Sequence, residues 1–274
     1  MIKLKEKVIA IAATSFLALG FAAPVGAQEI DTSTEFAAYI KALTAGTQSQ
    51  KNVYAPSVMH ATTAPSGTGF IELNLYTPRG GTPGRDADGS MSMGFGFGDV
   101  HAIVGGSLAV NVTGLVPFGT DGDFTLKLAK TIRSTESSKT LVGVQVNRLA
   151  PWGSNALLPM SFDASITHFD TLPGGGAGAI PYVVTFGYGS NSGMSGVPSI
   201  FGAIGVGLTE TLGFGVSVKA GALNAGFGYK ILRVPGMSVS FGVDNINRAG
   251  PATVNSPVIN FGIHFAQADL FGRN

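Results

Sequence analysis

Leu212-Gly213-Phe214-Gly215-Val216-Ser217-Val218-Lys219 decides how this chain folds. Large apolar side chains take every second position, and Gly, Gly, Ser and Lys take the others. A helix would spread such a pattern around its circumference, whereas a strand puts all four apolar groups on one face. Glycine also costs roughly 1 kcal/mol per helical site relative to alanine, and it recurs throughout 199–231. That nearly continuous apolar stretch is therefore read as strands, not buried helices.

The same rhythm extends in both directions. Ile71, Leu73 and Leu75 alternate with Glu72, Asn74 and Tyr76, and Met91, Met93, Phe95 and Phe97 with Ser92, Gly94 and Gly96. Leu108–Val112, Phe124–Leu128 and Val142–Asn147 repeat it, as do stretches near 160–168, 182–188, 200–208, 223–231, 237–244 and 257–265. Period-2 alternation over about 12 segments predicts strands that each expose one apolar face. Between them lie runs rich in Gly, Pro, Ser and Asp, as at 78–89, 117–123, 172–181 and 189–198, which is turn chemistry. Thr209-Glu210-Thr211 and Gly221-Ala222 mark tighter connections.

The N-terminus has a different character. Lys3, Lys5 and Lys7 precede an apolar run from Val8 to about Ala23, which Pro24 ends ahead of Val25-Gly26-Ala27. A basic start, a short apolar stretch and small residues before a cut describe a secretory signal peptide over 1–27. A membrane anchor would need roughly 20 apolar residues. Residues 28–66 form a leader. Phe36, Ile40 and Leu43 recur at helical spacing after the cap-like Asp31-Thr32-Ser33-Thr34, so a short amphipathic helix is expected over 34–44, followed by irregular, Pro-containing chain. The barrel-forming part is expected over 67–274.

Composition narrows the class. The chain has 17 basic and 16 acidic residues. Removing Lys3, Lys5, Lys7 and Glu6 with the leader peptide leaves 14 and 15, a net charge of −1. Such a chain has no electrostatic case for binding nucleic acid. Charged residues make up 12%, against roughly 25% in soluble domains, which argues for an apolar solvent around the protein. Cysteine is absent, so disulfides and thiolate metal sites are excluded.

A soluble β-sandwich shares the period but presents a charged outer face. Here the second face is mostly Gly, Ala, Ser, Asn and Thr. Tyr76, Phe97, Phe124, Phe169, Tyr182, Tyr188, Phe201, Tyr229 and Phe265 fall near strand ends, where interfacial girdles sit. Over about residues 69–265 the chain resembles the porin-like class of Gram-negative outer-membrane β-barrels. The resemblance implies an all-β fold, an antiparallel transmembrane barrel of about 12 strands with outer-membrane lipid as its partner. That class usually ends its last strand on a C-terminal aromatic residue; here 266–274 follow Phe265.

Strand phase supplies a candidate lumen lining of Glu72, Asn74, Lys127, Gln145, Asn147, Asp163, Lys219, Lys230, Asp244 and His264. Its acids and bases balance, so a strongly charge-selective pore is not indicated. The leader, with its 34–44 helix, is a candidate plug. No catalytic constellation is legible. His60, His101, His168 and His264 lie in no His-Glu-x-x-His pattern, and a Gly-x-Ser-x-Gly elbow is absent. Asp86-x-Asp88-Gly89 opens like a calcium loop but lacks the closing Glu, so neither metal nor cofactor is expected. The leading expectation is a passive channel for small solutes; a closed structural or adhesive barrel and a secreted soluble β-sandwich are the alternatives. The exported protein is expected to begin at Gln28, which its intact mass reads directly; a mass that retains 1–27 would make that segment an anchor.

Overall fold

The computed structural model describes residues 51–77, 88–113, 115, 117–135, 138–172, 179–192, 197–249 and 256–267. The signal peptide, the 34–44 helix and Phe271 lie outside these residues.

The strands are β1 (Gly69–Tyr76), β2 (Asp88–Gly98), β3 (Gly105–Val112), β4 (Gly122–Ser134), β5 (Lys139–Trp152) and β6 (Ser161–Leu172), then β7 (Ile180–Ser192), β8 (Val197–Gly207), β9 (Leu212–Lys219), β10 (Ala222–Lys230), β11 (Met237–Asp244) and β12 (Val258–Gln267). Each pairs antiparallel with its sequence neighbours, and β1 pairs with β12, from Gly69 opposite Gln267 to Tyr76 opposite Asn260. The sheet is one closed barrel of 12 strands, so the β-sandwich alternative falls. Strands extend beyond the expected segments at several ends; β7 runs on to Ser192, through chain read as a turn.

We call the rim where β1 starts and β12 ends the near rim. Its connections are 99–104, 135–138, 173–179, 208–211 and 231–236; those of the far rim are 77–87, 113–121, 153–160, 193–196, 220–221 and 245–257. The tightest, Ala220-Gly221, has φ of 51° and 81°, the left-handed pair that matches the twist of a two-residue hairpin. A 3₁₀ turn at Gly153–Leu157, which periodicity had not announced, carries the chain from β5 to β6.

Residues 51–66 reveal which face is inside. Asn52 donates its backbone N–H to Thr209 O at 2.8 Å. Ser57 Oγ donates to Asp244 Oδ1 at 2.6 Å on β11. On the way back, His60 Nδ1 meets Thr185 Oγ1 at 2.7 Å on β7, Ala61 N–H donates to Thr167 Oγ1 at 2.8 Å on β6, and Gly67 N–H to Gly96 O at 3.0 Å on β2. One short segment can reach strands on opposite sides of a barrel only from within it. The chain enters at the near rim, reverses at Ser57 (φ 59°) close to the far rim and returns.

Inward glycines make room for it. A Cβ on Gly205 or Gly215 would collide with the Tyr54 carbonyl, and one on Gly228 would meet the Tyr54 ring at 2.6 Å. Across the wall, Gly96 and Gly143 give similar clearance to Ala64 and Ala61. The returning limb packs Ala61 with Val53, Val100, Ala129, Leu141, Phe169 and Val183 into an apolar cluster inside the barrel.

That cluster corrects the expectation of an inner wall without bulky apolar groups. Phe169 and Phe201, assigned to an interfacial girdle by their nearness to strand ends, are 5% and 2% exposed and share the inward phase of Thr167 and Ala203. Tyr76 also faces in, its hydroxyl 3.5 Å from Ser90 Oγ. Phase, not position along the strand, determines the face. The outward positions instead carry exposed apolar side chains, among them Val144 (50%), Phe186 (58%) and Ile200 (64%). Gly215→Val is expected to cost about 1–3 kcal/mol, the usual range for overpacking, because the added side chain would meet the Tyr54 carbonyl and Ala55 main chain; a denaturant titration of the purified protein measures it.

Candidate functional site

The volume that 51–66 leaves open lies toward β1–β5. A cavity of about 410 Å³ is lined there by Phe70 and Glu72 on β1, Ser92 on β2, Ser107, Ala109 and Asn111 on β3, Thr125 and Lys127 on β4, and Gln145 and Asn147 on β5. Thr62, Thr63 and Ala64 of the inner segment form part of its wall. The lining exists because short polar residues alternate with lipophilic ones on five successive strands, and the antiparallel register sets them side by side. Glu72 lies opposite Ser92, Ser92 opposite Asn111, and Asn111 opposite Asp123.

These groups join into a hydrogen-bonded ladder across the strands. Ser92 Oγ donates to Asn111 Oδ1 at 2.7 Å, and Asn111 Nδ2 donates to Asp123 Oδ1 at 2.7 Å and Thr125 Oγ1 at 2.9 Å. Thr125 Oγ1 donates to Asn147 Oδ1 at 3.3 Å, and Gln145 Nε2 donates to the same oxygen at 2.6 Å. Asn147 Nδ2 then donates to Asp163 Oδ2 at 2.8 Å on β6, while the 3₁₀ turn adds Asn155 Nδ2 on Asp123 Oδ2 at 2.9 Å. Each rung orients the next, so the polar wall is rigid.

All ten residues of the candidate lining fall in the inward phase, but they do not form one site. Glu72, Lys127, Gln145 and Asn147 line the 410 Å³ cavity. Asn74 donates its Nδ2 to Glu72 Oε1 at 2.8 Å. Asp163 terminates the ladder. His264 Nδ1 is 3.7 Å from Glu72 Oε1, its Nε2 is 3.0 Å from Ser240 Oγ, and its ring borders a second cavity of about 170 Å³ beside Tyr54 and His60. Asp244 serves the inner segment and the wall together, accepting from Ser57 and from Asn260 Nδ2 at 2.8 Å. Lys219 and Lys230 lie near strand ends on β9 and β10 and border neither cavity.

Phase alone could have identified Ser92, Asn111 and Thr125, which share the polar face with the residues chosen. Asn111 is the hub of the ladder, accepting from Ser92 and donating to Asp123 and Thr125. His60, Thr167 and Thr185 were less accessible: their roles depend on a segment whose path no periodicity reveals. At the near rim, Lys139 Nζ approaches His101 Nε2 at 2.8 Å. Partial withdrawal of that ring from water, with the Lys139 charge as the smaller cause, lowers the His101 pKa, which favours the ring nitrogen as acceptor of a hydrogen bond from the ammonium. Among the described residues, no group of three or more His, Cys, Asp or Glu is placed to hold a metal ion.

Asn111→Ala is expected to destabilise the barrel by about 0.5–1.5 kcal/mol, since Asp123 and Thr125 lose a half-buried donor together while Asp123 keeps Asn155; a urea titration against the parent reads the loss.

No protein-family model and no curated protein matches the chain. Solved structures align with it at low similarity. A KdgM porin aligns with TM-score 0.47 and 9% identity over 72% of this chain and 98% of its own. A NanC porin aligns with TM-score 0.47 and 10% identity over 74% and 100%. The outer membrane protein Omp33 of Acinetobacter baumannii aligns with TM-score 0.41 and 10% identity over 74% and 99%.

Proposed function

We propose that this chain is a non-catalytic outer-membrane channel for small polar solutes, exported by the signal peptide at 1–27, with residues 51–66 acting as a fixed partition of its lumen. The carrying observation is the opposition of two surfaces: an outward face of exposed apolar side chains around a closed sheet, and an interior cavity of about 410 Å³ lined by hydroxyl, amide and single acidic and basic groups. Closed strands satisfy every interior ladder hydrogen bond within the protein, which hydrocarbon demands. The ten inward residues from Glu72 to His264 are then wall positions of a water-filled interior, and Glu72, Lys127, Gln145 and Asn147 flank the solute path.

The partition explains why the glycines cluster on β8–β10. Gly205, Gly207, Gly213, Gly215, Gly226 and Gly228 all clear residues 51–55, so the lumen beside β8–β10 is occupied by this segment and the solute path is displaced toward β1–β5. A closed, non-conducting barrel draws support from one specific observation, the apolar cluster that the inner segment forms with Val100 and the wall.

Planar-bilayer recording separates the two. The channel reading expects stepwise currents from the wild type, and severalfold larger steps from Gly205→Val/Gly215→Val, in which Tyr54 loses its seat. Silence of the wild type with steps in the double variant would instead identify a closed barrel. Silence of both, with heat-modifiable gel migration showing that each is folded, would sink the channel reading.

A further inference from the structure

The outer surface carries an asymmetry that a solute path does not require. Among the described residues, the outward phases of β1–β3 and β7–β12 hold no charged side chain. Lys130, Arg133 and Asp170 are the exceptions on β4 and β6, all toward the near rim, apart from Arg148 at a distorted far-rim site on β5 with φ 60°. Arg133 reaches this face through a register slip. The pairing shifts between Thr131 and Arg133, so Thr131 lies opposite inward Leu141 while Arg133 lies opposite outward Thr140. A regular strand would have turned Arg133 into the lumen.

The register then draws a compact patch. Arg133 pairs with Thr140, Thr140 with His168, and Lys130 with Val142. His168 is fixed by its neighbours: Nδ1 lies 2.9 Å from Thr140 Oγ1, Nε2 3.7 Å from Asp170 Oδ2, and its ring 6.3 Å from that of Tyr182. Asp170 is already engaged, since its Oδ1 accepts the Thr171 N–H at 2.7 Å. Lys130 and Arg133 are exposed and make no ion pair with a described residue. In register with Lys130, Val142, Ile166 and Phe186 form an exposed apolar row across β5–β7, with Val184 beside it opposite His168.

We infer that Lys130 and Arg133, with His168 and Tyr182 beside them, bind the phosphodiester headgroup of an anionic membrane phospholipid whose acyl chain lies along Val142, Ile166 and Phe186. The inference rests on the membrane reading of the outer surface. A cation facing lipid costs up to about 2–4 kcal/mol at mid-bilayer and little at the interface, so two cations without an ion pair to a described residue, close to the apolar row, call for an anion at headgroup depth. Arg supplies a planar fork for phosphate oxygens and Lys a point charge. Tyr at this depth keeps its ring in the apolar layer and its hydroxyl among headgroups. Short connections at the near rim fit the periplasmic side, where phospholipids form the leaflet.

Native mass spectrometry of the full chain in neutral detergent, titrated with phosphatidylglycerol or phosphatidylcholine, tests this. The expected result is one retained phosphatidylglycerol, bound about tenfold more tightly than phosphatidylcholine, and a comparable tenfold loss in Lys130→Gln/Arg133→Gln. Arg233→Gln removes an exposed charge from the 231–236 turn of the same rim and is expected to bind like the parent. Equal binding by the double variant, or an equal loss in Arg233→Gln, would overturn the site while leaving the barrel in its membrane. Displacement by millimolar inorganic phosphate would overturn the lipid as its source. Solubility of the protein without detergent would refute the membrane reading itself.

Discussion

Everything in this molecule depends on the ladder between β1 and β12. Those strands are the first and last of the sheet, yet Glu72 lies opposite His264 and Leu73 opposite Ile263. Without that pairing the sheet has two open edges and no inside. With it, every strand acquires a lumen face and an outer face, and the same two-residue period yields opposite chemistries on the two sides. Closure also removes the unpaired N–H and C=O groups that an apolar surroundings cannot satisfy.

Architecture was legible in the sequence because the two-residue period is local. Leu212 to Lys219 declares a strand without reference to any distant residue, and repeating that test along the chain finds each of the strands in order. Interior function is less local. Glu72 and Lys127 were recognisable as inward, but that they border one cavity while Lys219 and Lys230 do not depends on where 51–66 runs. Nothing periodic marks that path. The residues that accommodate it carry a signal only in retrospect: inward glycines concentrated on β8–β10, and a break in Arg133's phase that only the register reveals. Phe169 and Phe201 illustrate the same limit. Their aromatic character suggested an interface; their phase, counted along β6 and β8, places them in the core.

The interior is thus divided by the chain's own backbone. One side is packed almost like a soluble domain, with Leu141, Phe169 and Val183 against Val53 and Ala61. The other is a polar wall whose ladder from Ser92 to Asp163 is satisfied by its own members. Such a wall can offer hydrogen bonds to a passing solute without surrendering its shape, because the orienting bonds run along the wall and not across the opening.

The hairpin path of residues 51–66 has a topological consequence. Both limbs meet the barrel at the near rim, at Thr209 beside Asn52 and at the start of β1 beside Thr68. Residues 52–68 therefore begin and end at the same rim, and this segment does not pass through the ring of strands from one side to the other. The segment can be inserted as a bight after closure or be wrapped during it, and neither order produces a knot.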